Sequence, residues 1–246
     1  MKRMLMAGAF ALAAGGQASA ADLPQPAPPP PPRAPATYVP VPAPVFTWTG
    51  IYVGINGGYE FGTSNWTSPT GTLILGVPCT TNCSTGNFNT NGYLVGATIG
   101  ANYQWGQFVF GLEGDGDWAN ITGNTTTNCG ITVCTTQSQW LATARGRAGF
   151  AWDRVLFYGT AGGAFANLQA AAGANPFSNS TQIGWTGGAG IEAAIFPNVT
   201  AKIEYLYVNL GSQSCAFANC AGGGGSITTV PLTENVVRVG INYKFW

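Results

Sequence analysis

Arg238-Val239-Gly240-Ile241-Asn242-Tyr243-Lys244-Phe245-Trp246 is the stretch whose reading decides the fold. Val239, Ile241, Tyr243 and Phe245 alternate with Arg238, Gly240, Asn242 and Lys244. A period of two places the apolar set on one face of a strand and the polar set on the other. The termini of soluble domains tend to fray, so a regular strand running into the last residues with aromatic side chains is unusual there. It is the pattern expected where a transmembrane β-barrel closes, with aromatic residues at the membrane interface.

The same period recurs upstream. Segments 50–62, 92–105, 107–118, 137–152, 181–195 and 199–211 each carry one apolar face, and the closing segment starts near Thr233. Segment 154–168 is apolar on both faces, which leaves its outward side open. The connections alternate between long (63–91, 119–136, 169–180, 212–232) and short (Gly106, Asp153, 196–198). Strict alternation of this kind is the signature of an all-β, eight-stranded, antiparallel up-and-down transmembrane barrel with long extracellular loops and tight periplasmic turns. Outside the N-terminal leader no window holds the eighteen or so apolar residues a membrane helix requires, and a closed barrel is the other structure that satisfies every backbone group in lipid.

Aromatic residues collect at both ends of these segments. Trp48, Trp105, Phe108, Phe150, Trp152, Phe157, Phe196, Tyr243, Phe245 and Trp246 mark one end. Tyr59, Phe61, Tyr93, Trp118, Trp140, Trp185, Tyr205 and Tyr207 mark the other. Two girdles are what membrane interfaces favour.

Charge sorts by face as well. Glu60, Glu113, Asp115, Asp117, Glu192 and Glu204 fall opposite the apolar side, as do Arg145, Arg147, Lys202, Arg238 and Lys244. Six acids against five bases in a narrow lumen predict a paired ionic network, because unpaired charge there is costly. Eight strands enclose an interior that side chains can fill, which predicts a structural barrel over an open pore.

The N-terminus reads as a secretory signal peptide over residues 1–20. Lys2 and Arg3 precede an apolar run from Met4 to Ala14, and Ala18-Ser19-Ala20 forms the cleavage site. The whole chain has nine bases and nine acids. Removing Lys2 and Arg3 leaves seven bases and a net charge of about −2, not basic enough to suggest a nucleic-acid partner. Residues 21–46 are rich in proline and read as an extended periplasmic spacer. A free tail and a contact with peptidoglycan are both open for it. The barrel then occupies 47–246.

All six cysteines fall within the long connections, as Cys79/Cys83, Cys129/Cys134 and Cys215/Cys220. One close pair per loop of an exported protein predicts three local disulfides. The four long loops contain no Asp, Glu, Lys or Arg, which argues against calcium chelation there. Gly188-x-Gly190-x-x-Ala193 imitates a dinucleotide fingerprint but opens no helix, and Asp115-Gly-Asp117 is only a fragment of a calcium loop. The chain has no histidine, which removes histidine-dependent catalysis. No enzyme and no cofactor are expected.

Thr47-Trp48-Thr49-Gly50-Ile51-Tyr52-Val53-Gly54, followed by Asn56-x-Gly58-Tyr59, resembles the opening strand of the alphaproteobacterial outer-membrane immunogenic proteins, a porin-superfamily branch of small barrels. Residues 158–164, Tyr-Gly-Thr-Ala-Gly-Gly-Ala, and the closing Asn242 to Phe245 are similar to the same family. The resemblance covers about residues 47–246. It implies an OmpA-like eight-stranded barrel in the outer membrane of a Gram-negative bacterium, with roles in envelope integrity and surface exposure, and it supplies no catalytic residues. Arg238, Gly240, Tyr243 and Phe245 also resemble the C-terminal signal read by the barrel assembly machinery, except that Trp246 follows the aromatic that usually ends it. Outer-membrane lipid and that machinery are the partners implied. A narrow porin for small solutes, or adhesion through the neutral loops, are the competing functions.

Overall fold

A computed structural model describes residues 46–67, 73–74, 77–78, 84–127, 133–173, 177–215 and 228–245. The signal peptide, nearly all of the proline-rich leader, Cys79, Cys83, Cys129, Cys220 and Trp246 lie outside the described residues.

Alternating apolar and polar or small residues build eight long strands: β1 (Gly50–Ser64), β4 (Phe88–Trp105), β5 (Phe108–Thr125), β6 (Cys134–Trp152), β7 (Val155–Ala172), β8 (Ser178–Phe196), β9 (Val199–Cys215) and β10 (Thr228–Lys244). They form one closed antiparallel barrel in the ring order β1-β10-β9-β8-β7-β6-β5-β4. Closure runs through β1 and β10, where Tyr52 is opposite Lys244 and Ile55 opposite Ile241. Between β1 and β4 a two-residue ladder, β2 (Leu73–Ile74) with β3 (Val77–Pro78), stands apart from the barrel.

The outward face is the apolar one. Val237, Val239 and Ile241 are exposed on β10, with Val239 at 60%. On β7, Phe157 and Phe165 point outward while Leu156, Tyr158, Ala164 and Leu168 are buried. This strand is apolar on both faces because its inward residues belong to two apolar clusters described below.

Several expectations need correction. The strands run past their predicted ends on the long-loop side, since Thr, Asn and Ser continue the ladder as readily as apolar residues. Cys134 is therefore the first residue of β6 and Cys215 the last of β9, rather than loop positions. The tight turns contain two residues each: Gly106–Gln107, Asp153–Arg154 and Pro197–Asn198. Positive φ at Gly106 (62°) and Asp153 (53°) suits two-residue hairpins, whose turns match the twist of the strands. Trp48 leaves the aromatic girdle altogether. It is only 2% exposed, because the chain ahead of β1 folds in beneath the barrel wall.

One irregularity redirects a whole strand. The pairing of β6 shifts between Ser138 and Leu141, and both Gln139 and Trp140 are exposed. A bulge puts two residues against one and flips the face of everything beyond it. Leu141, Thr143, Arg145 and Arg147 face inward on one side of the bulge, and Cys134, Thr136 and Ser138 on the other.

Candidate functional site: the filled lumen

The inward side chains form three layers. At the short-turn end, Trp48 packs with Val109, Ala151, Leu156 and Tyr158, and Phe46 meets it edge-on at 5.1 Å between ring centroids. Lys244 donates to the Thr47 carbonyl and stacks its ammonium 4.4 Å from the Phe46 ring, tying the incoming chain to the closing strand.

Above this layer lies an ionic belt. Arg145 Nη2 is 2.7 Å from Glu113 Oε1 and 2.8 Å from Asp115 Oδ2, and its Nη1 is 3.0 Å from Glu204 Oε1. Arg238 Nη1 is 2.6 Å from Asp115 Oδ1 and 3.0 Å from Asp117 Oδ2, and its Nε donates to Glu204 at 2.8 Å. Arg147 reaches Glu192 at 2.7 Å and lies over the Tyr158 ring, 4.0 Å from its centroid. Lys202 Nζ is 2.9 Å from Glu113 Oε2.

Neutral groups complete the belt. The Tyr52 hydroxyl donates to Glu113 at 2.7 Å and accepts from Arg147 at 2.9 Å. Tyr158 donates to Glu204, Thr143 to Asp115, and Thr200 and Asn242 to Glu192. Charge-assisted hydrogen bonds of this kind are stronger than neutral ones. They also offset the cost of taking these charges out of water.

The third layer fills the long-loop end. Trp66, just beyond β1, is 2% exposed and turns into the barrel. Its indole nitrogen donates to Thr136 Oγ1 at 3.0 Å and its backbone nitrogen to Thr85 Oγ1 at 3.0 Å. Around it cluster Phe88, Leu94, Ile121, Leu141, Leu168, Leu206, Leu210 and Leu232.

Of the eleven charged residues placed in the lumen by sequence, the belt brings together Glu113, Asp115, Asp117, Arg145, Arg147, Glu192, Lys202, Glu204 and Arg238. Glu60 is buried but outside it, and Lys244 sits at the short-turn mouth. Arg147 and Asp115 do not pair, although β6 and β5 are adjacent. Arg147 takes Glu192 and Glu113, and Asp115 takes Arg145 and Arg238. Sequence reasoning missed Glu234, which shares the inward parity of Arg238 on β10 but is followed by an inward apolar residue, Val236. Tyr52 was legible by the same parity, lying between Gly50 and Gly54 on the inward face of β1.

The four residues that resemble a C-terminal assembly signal divide between two environments. Arg238 and Gly240 line the lumen, while Tyr243 and Phe245 face outward as an edge-to-face pair 5.5 Å apart. Cys134 is buried at the start of β6. Among the described residues no three His, Cys, Asp or Glu side chains are grouped to hold a metal.

An apolar exterior around a closed eight-stranded ring with an ionic interior defines an integral β-barrel protein of the outer membrane. The chain belongs to the outer membrane protein beta-barrel domain family, which it matches over residues 39–245. It is 32% identical over 216 residues to the 31 kDa outer-membrane immunogenic protein of Brucella melitensis biotype 1, covering 81% of this chain and 85% of that one. It is 29% identical over 202 residues to the 25 kDa outer-membrane immunogenic protein of Brucella abortus biovar 1, covering 81% and 80%. Among solved structures, the outer membrane protein OprG from Pseudomonas aeruginosa shares the fold, with a TM-score of 0.51 at 13% identity over 80% of this chain and 96% of that one. The long-loop end is accordingly extracellular and the two-residue turns periplasmic.

Proposed function

We propose that this protein is a closed structural barrel that contributes to envelope integrity and presents its loops at the cell surface. The observation that carries this reading is the filled lumen: an ionic belt between an apolar layer on Trp48 and another on Trp66. A continuous water path would have to break buried ion pairs and displace both layers, which is costly for charges without new partners. The relatives' description as immunogenic outer-membrane proteins supports surface exposure. The absence of histidine supports a non-enzymatic role. On this reading an exported precursor loses residues 1–20, the barrel assembly machinery reads the closing strand, and residues 21–46 reach toward the cell wall. Local disulfides shape the loop tips. Planar-bilayer recording of the purified protein tests the proposal: a flat current trace is expected, whereas reproducible unitary steps would establish the narrow-porin alternative.

A further inference from the structure

Two acids of the lumen take no part in the ionic belt. Glu60 on β1 and Glu234 on β10 are 0% and 1% exposed. Every ion pair among the described residues joins Arg145, Arg147, Lys202 or Arg238 to some other acid. Glu60 is opposite Val236 and Glu234 opposite Gly62, so the two buried acids are diagonal neighbours on the inward face of the adjacent strands β1 and β10. None of their four oxygens meets a donor from the protein. They are two acceptors set face to face.

The lumen as a whole is short of positive charge. Glu60, Glu113, Asp115, Asp117, Glu192, Glu204 and Glu234 are buried, against Arg145, Arg147, Lys202 and Arg238 in the belt. Seven acids against four bases is an excess of three acids, and Lys244 is engaged by Thr47 and Phe46 at the far mouth.

A separate feature converges on the same place. Thr90, Gly62 and Glu234 form one row across β4, β1 and β10. Thr90 is 1% exposed and its hydroxyl has no partner. A Cβ at Gly62 would lie 3.1 Å from both Thr90 Oγ1 and the Glu234 Cα, so no side chain separates the two. An unpartnered hydroxyl and an unpartnered carboxylate therefore flank the same bare stretch of wall. Buried polar groups without protein partners call for a bound ion or water.

We propose that Glu60 and Glu234, with the Thr90 hydroxyl as a neutral third donor, bind one divalent hard cation of the calcium or magnesium class. An all-oxygen donor set selects hard cations over zinc or copper. Two carboxylates match its charge, and water completes its shell. The ionic belt lies below and the Trp66 layer above, so the cation enters as the barrel closes around it.

That route dictates the experiment. The full chain is stripped with EDTA, unfolded in urea, and refolded into detergent micelles in sodium chloride with or without added calcium or magnesium. Bound metal is measured after gel filtration and the melting temperature is recorded. Wild type is expected to retain about one equivalent and to melt higher with the cation, since a ligand of the folded state stabilises by mass action. Glu60→Gln/Glu234→Gln, which keeps side-chain volume, is expected to lose both effects, and Thr90→Val to bind on the order of tenfold more weakly. A wild-type barrel that retains no divalent cation and shows no thermal response overturns the proposal, leaving a proton or sodium to satisfy the pair. A folded double variant that still retains one equivalent also overturns it. Should the double variant not fold, Glu60→Gln and Glu234→Gln singly are read in the same assay, where undiminished binding in both is equally fatal.

Discussion

Lys202 passes over Glu192, its cross-strand neighbour on β8, and ends 2.9 Å from Glu113 on β5. In the ring order β9 and β5 stand four strands apart, so this contact spans the lumen. Gly240 clears the way: a Cβ there would lie 3.3 Å from both Cγ and Cε of Lys202. A lysine stem crossing a bare glycine, rather than a ladder of neighbouring pairs, joins opposite walls of the barrel.

Because of that crossing, Lys202 and Glu113 should be energetically coupled despite their distance around the ring. In a cycle of Lys202→Met, Glu113→Gln and the double variant, the double should lose less stability than the sum of the singles, by about 0.5–3 kcal/mol. Urea unfolding in detergent measures it. Additive losses would mean that the contact contributes nothing.

Arg238 is expected to be the costliest single truncation in the belt. Its side chain holds Asp115, Asp117 and Glu204, and Arg238→Ala would leave buried carboxylates uncompensated. The expected loss is about 3–5 kcal/mol. Replacing Asp117 by Asn in the same background should recover part of it, read from the same unfolding curves.

Val239 lies mid-strand on the lipid face, opposite Gly57 and Ile203. Lysine there should destabilise the barrel by about 2–4 kcal/mol. Unchanged stability of Val239→Lys in lipid vesicles would show that this face does not meet the hydrocarbon.

Trp66 anchors the extracellular layer by packing and by its hydrogen bond to Thr136. Trp66→Ala should cost about 3–5 kcal/mol, the range for emptying a large buried aromatic site, and should make the segment after β1 more susceptible to limited proteolysis. Wild-type proteolysis rates in the variant would count against the anchoring role.

Reduction of the cysteines should alter loop recognition by antibodies while the barrel melts almost unchanged. Rings as short as Cys79–Cys83, Cys129–Cys134 and Cys215–Cys220 would each close only a few residues, and Cys134 and Cys215 already sit in hydrogen-bonded strands that hold the chain there without them. Peptide mapping of unreduced protein should recover these three local pairs. Bridges between different loops would indicate a single cap over the mouth instead.

Much of the barrel was legible in period-two alternation. Val239, Ile203 and Ile183 could be assigned outward because a strand has only two faces and lipid demands that one be apolar. The inward charges followed by parity alone. The reading failed where that two-face rule fails. On β7 both faces are apolar, so parity carries no signal. Beyond the bulge at Gln139 and Trp140 the parity reverses, which hides Thr136 as the partner of Trp66. Trp48 was misassigned because aromatic character marks a membrane interface and a buried plug equally well.

By itself, the amino-acid sequence determined the class of structure: eight alternating strands, long and short connections in turn, two aromatic ends and a charged inner face. These are local properties, set by a side-chain period and by the residues that turns require. Only the tertiary structure decided who meets whom inside. Closure of the ring brings β5 within reach of β9 and β10, so Glu113 and Asp115 find Lys202 and Arg238 from strands far away in sequence. It also leaves Glu60 facing Glu234 instead of a base, because ring curvature, bulges and bare glycines govern reach across a lumen, and none of these is written in the alternation of a single strand.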